Sequence, residues 1–335
     1  MTTIASESPT AESQVSPASG AAPAKPLTPN QLVWRRFLRH RAAVAGALGL
    51  ISIVALIVVG SILVPVERAT RPEVTNRLAP PTPLNQIAST PAKDVHLFGT
   101  DATGRDVFAR VLYGGQISLA VGVLAIMISL FVGVTVGGLS GYFGGLIDSV
   151  LMRFTEAMLA IPSLFLLIVV GKLFGSKLGS FTVLGMSISG SVVVVILVIG
   201  LTSWMYEARI VRANVLSLRE RDFVSASEAL GTDRSRVLIH HILPNTMAPI
   251  IVAATLGLAA AISLEAYASF LGLGVQDPPT PSWGNMITQA LNYMQSNPPK
   301  WWLWFFPGLF ITLTVLCINF VGDGLRDALD PRRKV

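Results

Sequence analysis

Residues 117–140 read ISLAVGVLAIMISLFVGVTVGGLS, a run without a single charged side chain. Crossing roughly 30 Å of hydrocarbon at 1.5 Å per residue takes about 20 mainly apolar residues, and this run is long enough. Inside hydrocarbon each backbone amide must be paired within its own segment, which leaves a helix as the option for a single run. Five more stretches qualify, approximately 43–64, 149–171, 190–206, 246–266 and 302–322. The sequence therefore predicts an all-α polytopic membrane protein with six transmembrane helices. Composition points the same way: 52% of the 335 residues are hydrophobic and 13% charged, against about 25% charged in soluble domains. So few ionic side chains cannot coat a water-facing globule, which excludes a disordered chain and argues against an ordinary soluble enzyme. The net charge of +6 does not indicate nucleic acid, because the basic residues lie between apolar runs rather than on one polar face. The single cysteine, Cys317, excludes an intrachain disulfide and a multi-cysteine zinc site.

Outside these runs the chain divides by composition. Residues 1–27, rich in Ser, Ala, Thr and Pro, bury too little apolar surface to offset ordering entropy and read as a disordered tail without a secretory signal. Residues 28–64 form an interfacial helix followed by the first span: Thr28-Pro29 is a helix start, and Leu32, Val33, Phe37 and Leu38 alternate with Arg35, Arg36, Arg39 and Arg41 at amphipathic spacing. Residues 65–116 are a long loop, 117–325 the membrane core, 207–245 a loop within it, and 326–335 a tail. With the N-terminus in the cytoplasm, sixteen of the 25 Lys and Arg fall on the cytoplasmic side and nine outside, most of the nine in the long 65–116 loop, which counts little in the positive-inside rule. Both termini are therefore expected in the cytoplasm, and 65–116 outside.

The 207–245 loop is patterned rather than merely solvated. Phe223, Ala226, Leu230 and Val237 mark a helical face, Gly231 suits a helix stop, and Pro244 can begin the next helix, so a short helix, a turn and a second helix are predicted. This stretch resembles the cytoplasmic loop of the inner-membrane permease subunits of ATP-binding-cassette importers. Their pattern is Glu-Ala-Ala, three residues, Gly, nine residues, Ile, any residue and Leu-Pro. Here Ala226, Gly231, Leu243 and Pro244 match it, while Ser225, Ser227 and His241 replace the Glu, the second Ala and the Ile. The resemblance implies a coupling helix that fits a groove on a cytoplasmic ATPase, with Phe223, Ala226, Glu228, Gly231, Leu243 and Pro244 as the coupling residues.

Further motifs narrow the likeness. Phe98-Gly99-Thr100-Asp101 with Gly104-Arg105-Asp106 resembles the signature before the second span in C-type permeases for dipeptides, oligopeptides and nickel. Ser269-Phe270-Leu271-Gly272-Leu273-Gly274, with Pro281-Ser282-Trp283-Gly284 beyond it, resembles the outer loop of the same subfamily, and Trp34-Arg35-Arg36-Phe37-Leu38 is similar to its start. The resemblance covers about residues 30–331. It implies the type I importer permease fold in a bacterial-type inner membrane. It also implies a second permease subunit, two ATPase subunits and an extracytoplasmic substrate-binding protein as partners, with peptides, or alternatively nickel, as substrate. A self-contained secondary transporter is the rival in another class, but no internal repeat is evident.

The remaining signals have two readings each. Gly99, Asp101, Gly104, Arg105 and Asp106 suit either a tight turn stapled by an Asp–Arg pair or a contact for the binding protein. Gly272, Gly274 and Trp283 share that ambiguity, and Trp283 also suits an interfacial aromatic belt. Gly133, Gly137, Gly141 and Gly145 recur every four residues as a ridge for close helix packing. Pro162 permits a kink in the third span, and Arg153 and Glu156 can pair at i,i+3. Glu265 is an intramembrane carboxylate, a type that tends to face a cavity or partner, and is a candidate for the pathway. No Gly-x4-Gly-Lys-Ser/Thr sequence occurs, so ATP and Mg2+ are expected on partner subunits and not on this chain. His40, His96, His240 and His241 show no metal or triad spacing. No cofactor, metal ligand or catalytic residue is assigned.

Overall fold

The computed structural model describes residues 28–91, 94–174, 177–183 and 186–330. The predicted disordered tail over 1–27 and the end of the predicted tail over 326–335 lie outside them. The chain starts with α1 (Pro29–Arg39), whose first turn is closed by the Gln31 side chain accepting from the Thr28 backbone N–H at 3.0 Å. His40 breaks the helix and caps the next, its Nδ1 accepting from the Ala43 N–H at 3.1 Å, and α2 (Arg41–Leu63) follows as the first span. A short α3 (Glu67–Thr70) leads into the segment that ends at Asp106.

The helix containing the 117–140 run starts ten residues earlier than its hydropathy indicates. α4 covers Val107–Phe143, about 55 Å at 1.5 Å per residue, and Asp106 caps it by accepting from the Ala109 N–H at 2.9 Å. Its extra turns carry Arg110, a charge that ends the apolar run but not the helix. The glycine ridge sets how α4 packs on α7 (Gly190–Arg219). A Cβ on Gly137 would stand 2.3 Å from the Ala208 carbonyl oxygen, and one on Gly141 2.9 Å from that of Arg212. Gly145, the fourth in the series, meets nothing and belongs to the next helix.

The third apolar stretch is not straight. It forms α5 (Gly145–Leu159) and α6 (Ser163–Phe174), bent by 77° at the break that contains Pro162. Proline lacks an N–H and restricts the residue before it, so a bend at this point is expected, although its size is set by tertiary packing. A two-stranded antiparallel hairpin, β1 (Ser180–Val183) and β2 (Met186–Ser189), follows before α7.

After α7 come the short helices α8 (Asp222–Ala229) and α9 (Arg234–Val237), matching the expected helix, turn and helix. α9 runs on through a wide π turn over Leu238–Ile242 and a tight 3-10 turn over Leu243–Thr246 into α10 (Met247–Phe270). The irregular turns surround Pro244, which cannot donate the helical bond a regular continuation needs. The chain ends with α11 (Trp283–Met294) and α12 (Trp302–Leu329). Among the described residues five helical stretches are long and apolar enough to span a membrane, and six when the bent α5–α6 pair is counted as one span.

Candidate functional site

At one end of the bundle, polar residues from three distant segments close into a buried network. Gly99 and Gly104 take positive φ (76° and 87°), allowing the 98–106 turn to fold tightly, and a Cβ on Gly104 would lie 1.8 Å from the Glu73 carbonyl oxygen. The turn presents Asp101, whose Oδ1 accepts from the Thr103 N–H at 2.8 Å and the Arg105 N–H at 3.0 Å. Its Oδ2 accepts from Arg105 Nε at 2.7 Å and from Arg110 Nη1. Both guanidinium groups then reach Asp277: Arg105 Nη1 donates to Oδ1 at 3.0 Å and Arg110 Nη2 to Oδ2. Gln289 of α11 closes the ring, accepting from Arg110 Nη1 at 2.8 Å and donating to Asp277 Oδ2 at 2.7 Å. Two positive and two negative groups thus neutralise each other away from water. Burial would raise the Asp101 carboxyl, but Arg110 and Arg105 outweigh it and hold the pKa at about 2. A cavity of about 280 Å3 lies against this ring, bordered by Thr103, Gln289, Asn292 and Tyr293.

The predicted Asp101–Arg105 pair is therefore present, as part of a larger assembly. Asp106 stands apart from it, capping α4 and bonding His96 Nδ1 at 2.8 Å. Trp283 fits neither an exposed anchor nor an interfacial belt: it is fully buried at the start of α11, its Nε1–H donating to the Val111 carbonyl at 2.9 Å. A Cβ on Gly274 would strike Ser269 Oγ at 2.3 Å, whereas Gly272, at φ 73°, faces open space. Sequence reasoning missed Arg110, Asp277 and Gln289. One signal was present, because Asp277 is the only acidic residue between Glu265 and Asp323.

At the opposite end α8 is held from beneath and bare above. Val224 is buried in a cluster with Val211, Val215, Val237 and Leu238, and Glu228 Oε1 accepts from the Tyr142 hydroxyl at 2.8 Å. Phe223, Ala226 and Leu230 are exposed, Leu230 at 87%. The expected apolar face is thus divided: Val237 is buried in the protein while the other three members point outward. Gly231, at φ 79° with nothing near its Cβ position, ends the helix by donating its N–H to the Glu228 carbonyl at 3.0 Å. Leu243 packs into the same cluster and Pro244 shapes the irregular turns, so both fix the element's form from within.

Between the ends, Glu265 is completely enclosed. Its carboxylate accepts from Ser118 Oγ at 2.9 Å and Ser269 Oγ at 2.7 Å, tying α10 to α4. Contact with a solute there would require these helices to separate. Arg153 and Glu156 approach to 3.7 Å on the exposed face of α5.

Residues 133–335 match the family model described as binding-protein-dependent transport system inner membrane component, and residues 28–81 match the N-terminal TM domain of oligopeptide transport permease C. The chain is 40% identical over 306 residues to the dipeptide transport system permease protein DppC of Bacillus subtilis, covering 91% of this chain and 87% of the relative. It is 37% identical over 299 residues to the oligopeptide transport system permease protein OppC of Haemophilus influenzae, covering 89% of this chain and 87% of that one. Among solved structures, the inward-facing MetNI methionine ABC transporter superposes with a TM-score of 0.51 at 18% identity, over 67% of this chain and 98% of its own. That likeness concerns the fold.

Proposed function

Because this chain belongs to the binding-protein-dependent transport system inner membrane components, we propose that it forms half of a membrane pathway for dipeptides or oligopeptides, completed by a second permease subunit. The observation that carries this reading is the continuous likeness, through both the N-terminal segment and the core, to permeases named for dipeptide and oligopeptide transport. Those names favour peptides over nickel. The driving force comes from two cytoplasmic ATPase subunits that hold ATP and Mg2+, and peptides arrive on an extracytoplasmic binding protein. Both termini and α8 lie in the cytoplasm, and the Asp101–Arg110 network lies outside.

In this mechanism the exposed Phe223, Ala226 and Leu230 seat α8 in the ATPase. Val224 and the Tyr142–Glu228 bond fasten α8 to the ends of α4, α7 and α10. When ATP draws the ATPases together, α8 moves as a rigid piece and carries these spans with it, alternating the access of the pathway. At the outer end the neutral ring of Asp101, Arg105, Arg110 and Asp277 keeps the loop bearing Asp277 and the 98–106 turn in one body, a firm platform for the binding protein. Liposomes carrying the complete transporter test the reading: uptake of a labelled peptide should require both ATP and the binding protein. Uptake by this chain without any ATPase would contradict it.

A further inference from the structure

A second feature of the α8 end is unrelated to ATPase docking. Between α5 and α7 lies a cavity of about 370 Å3, lined by Met152, Thr155 and Glu156 on one side and Arg209, Arg212 and Ala213 on the other. Arg212 is fixed in place by a two-pronged bond to Asp148, Nε to Oδ1 and Nη2 to Oδ2, both at 2.6 Å, which uses two of its five N–H donors. Arg209 is exposed, and no hydrogen bond or ion pair joins it to any described residue. Arg153 stands beside the groove, loosely paired with Glu156 at 3.7 Å. Three guanidinium groups therefore gather with two carboxylates, leaving one positive charge uncompensated.

Depth and helix direction say what meets this charge. Arg209 lies nineteen residues along α7 from Gly190, about 28 Å at 1.5 Å per residue, which is close to the hydrocarbon thickness of a bilayer. Its guanidinium thus falls at headgroup level if the start of α7 marks the opposite boundary. α5 begins at Gly145, directly after the end of α4 at the α8 end of the bundle, and leaves α6 at 77°. Its two faces differ. Leu146, Ile147, Val150 and Phe154 share one arc and are 47–80% exposed, while Asp148, Met152, Thr155 and Glu156 share the arc turned toward the groove. α5 therefore carries apolar surface for acyl chains on one arc and borders, on another, a guanidinium fork suited to phosphate.

We propose that the groove between α5 and α7 holds the phosphate of an anionic phospholipid, with Arg209 as its principal ligand, Arg212 as a prepositioned second donor and the apolar face of α5 against the acyl chains. Basic pockets between membrane helices at a cytoplasmic face are suited to such headgroups. Glu156, which also lines the groove, is already paired with Arg153 at 3.7 Å.

The assembled transporter in phosphatidylcholine bilayers, probed with trace spin-labelled phosphatidylglycerol and spin-labelled phosphatidylcholine, tests the site. Phosphatidylglycerol should associate about fivefold more strongly, as about 1 kcal/mol per arginine near a charged surface implies. Arg209→Gln should bring the two lipids to near parity, and Arg209→Lys, which keeps the charge, should retain most of the preference. Equal association in the unaltered transporter, or a preference untouched by Arg209→Gln, overturns the proposal. Displacement of the lipid signal by millimolar inorganic phosphate would make the groove a free-anion site instead. A preference seen for the chain alone but lost on assembly would give the groove to the second permease, which also overturns it.

Discussion

At one end of the molecule Asp101, Arg105, Arg110 and Asp277 are buried and bonded to each other, while at the other Phe223, Ala226 and Leu230 stand open on a helix fastened by Val224 and Glu228. The polar residues are the ones inside and the apolar residues the ones outside, opposite to the usual arrangement in water. Groups already satisfied within the chain serve its rigidity, and groups left unsatisfied await something else. The charge-rich motif is thus a joint between segments of this chain, and the apolar face of α8 is the surface proposed to meet the ATPase.

Unbalancing the ring should have the largest effect. Arg110→Met leaves Arg105 as the only cation between the buried carboxylates of Asp101 and Asp277, and removing one partner of a buried pair costs about 3–5 kcal/mol. Thermal unfolding of the purified chain should register the loss, whereas an unchanged midpoint would mean the ring is incidental. Gly104→Ala should cost about 1–3 kcal/mol through overpacking, because its Cβ falls on the Glu73 carbonyl. Acid probes the same ring. The Asp101 pKa is depressed in the folded chain, so its stabilisation is fully present above the ordinary carboxylate value and is lost as pH falls through about 2. That contribution, roughly 2 kcal/mol from the size of the depression, should fade between about pH 4 and pH 2 in unfolding measurements and be absent in Asp101→Asn.

At the α8 end the expected effects on stability are smaller. Phe223→Ala combined with Leu230→Ala should leave the unfolding midpoint of the chain within about 0.5 kcal/mol. The same pair should weaken ATPase association by about tenfold or more in a pull-down titration, as loss of interface anchors does. Gly231→Ala, with open space around it, meets only the cost of positive φ, about 1 kcal/mol, against the larger penalty at Gly104.

Hydropathy found the spans and the loop pattern found α8, because both signals are local in sequence. The ring was only half legible. Asp101 and Arg105 are four residues apart and suggested each other, but Asp277 lies 167 residues from Arg110, and nothing local announces that approach. Arg110 was hidden for a physical reason: a charge compensated by folding looks, before folding, like the end of a membrane segment, so α4 was read as starting at 117 rather than 107. Trp283 was misread in the same way, since its burial depends on the Val111 carbonyl of another helix. Pro162 marked where α5 and α6 part, but the 77° between them comes from tertiary packing.

Exposed apolar residues on α8 are proposed to pass ATPase motion to the spans. ATP-driven peptide uptake by liposomes holding the complete transporter, compared between the unaltered chain and Phe223→Ala/Leu230→Ala, tests it most directly. Uptake should collapse while the altered chain remains folded and membrane-inserted. Uptake at the unaltered rate would contradict it.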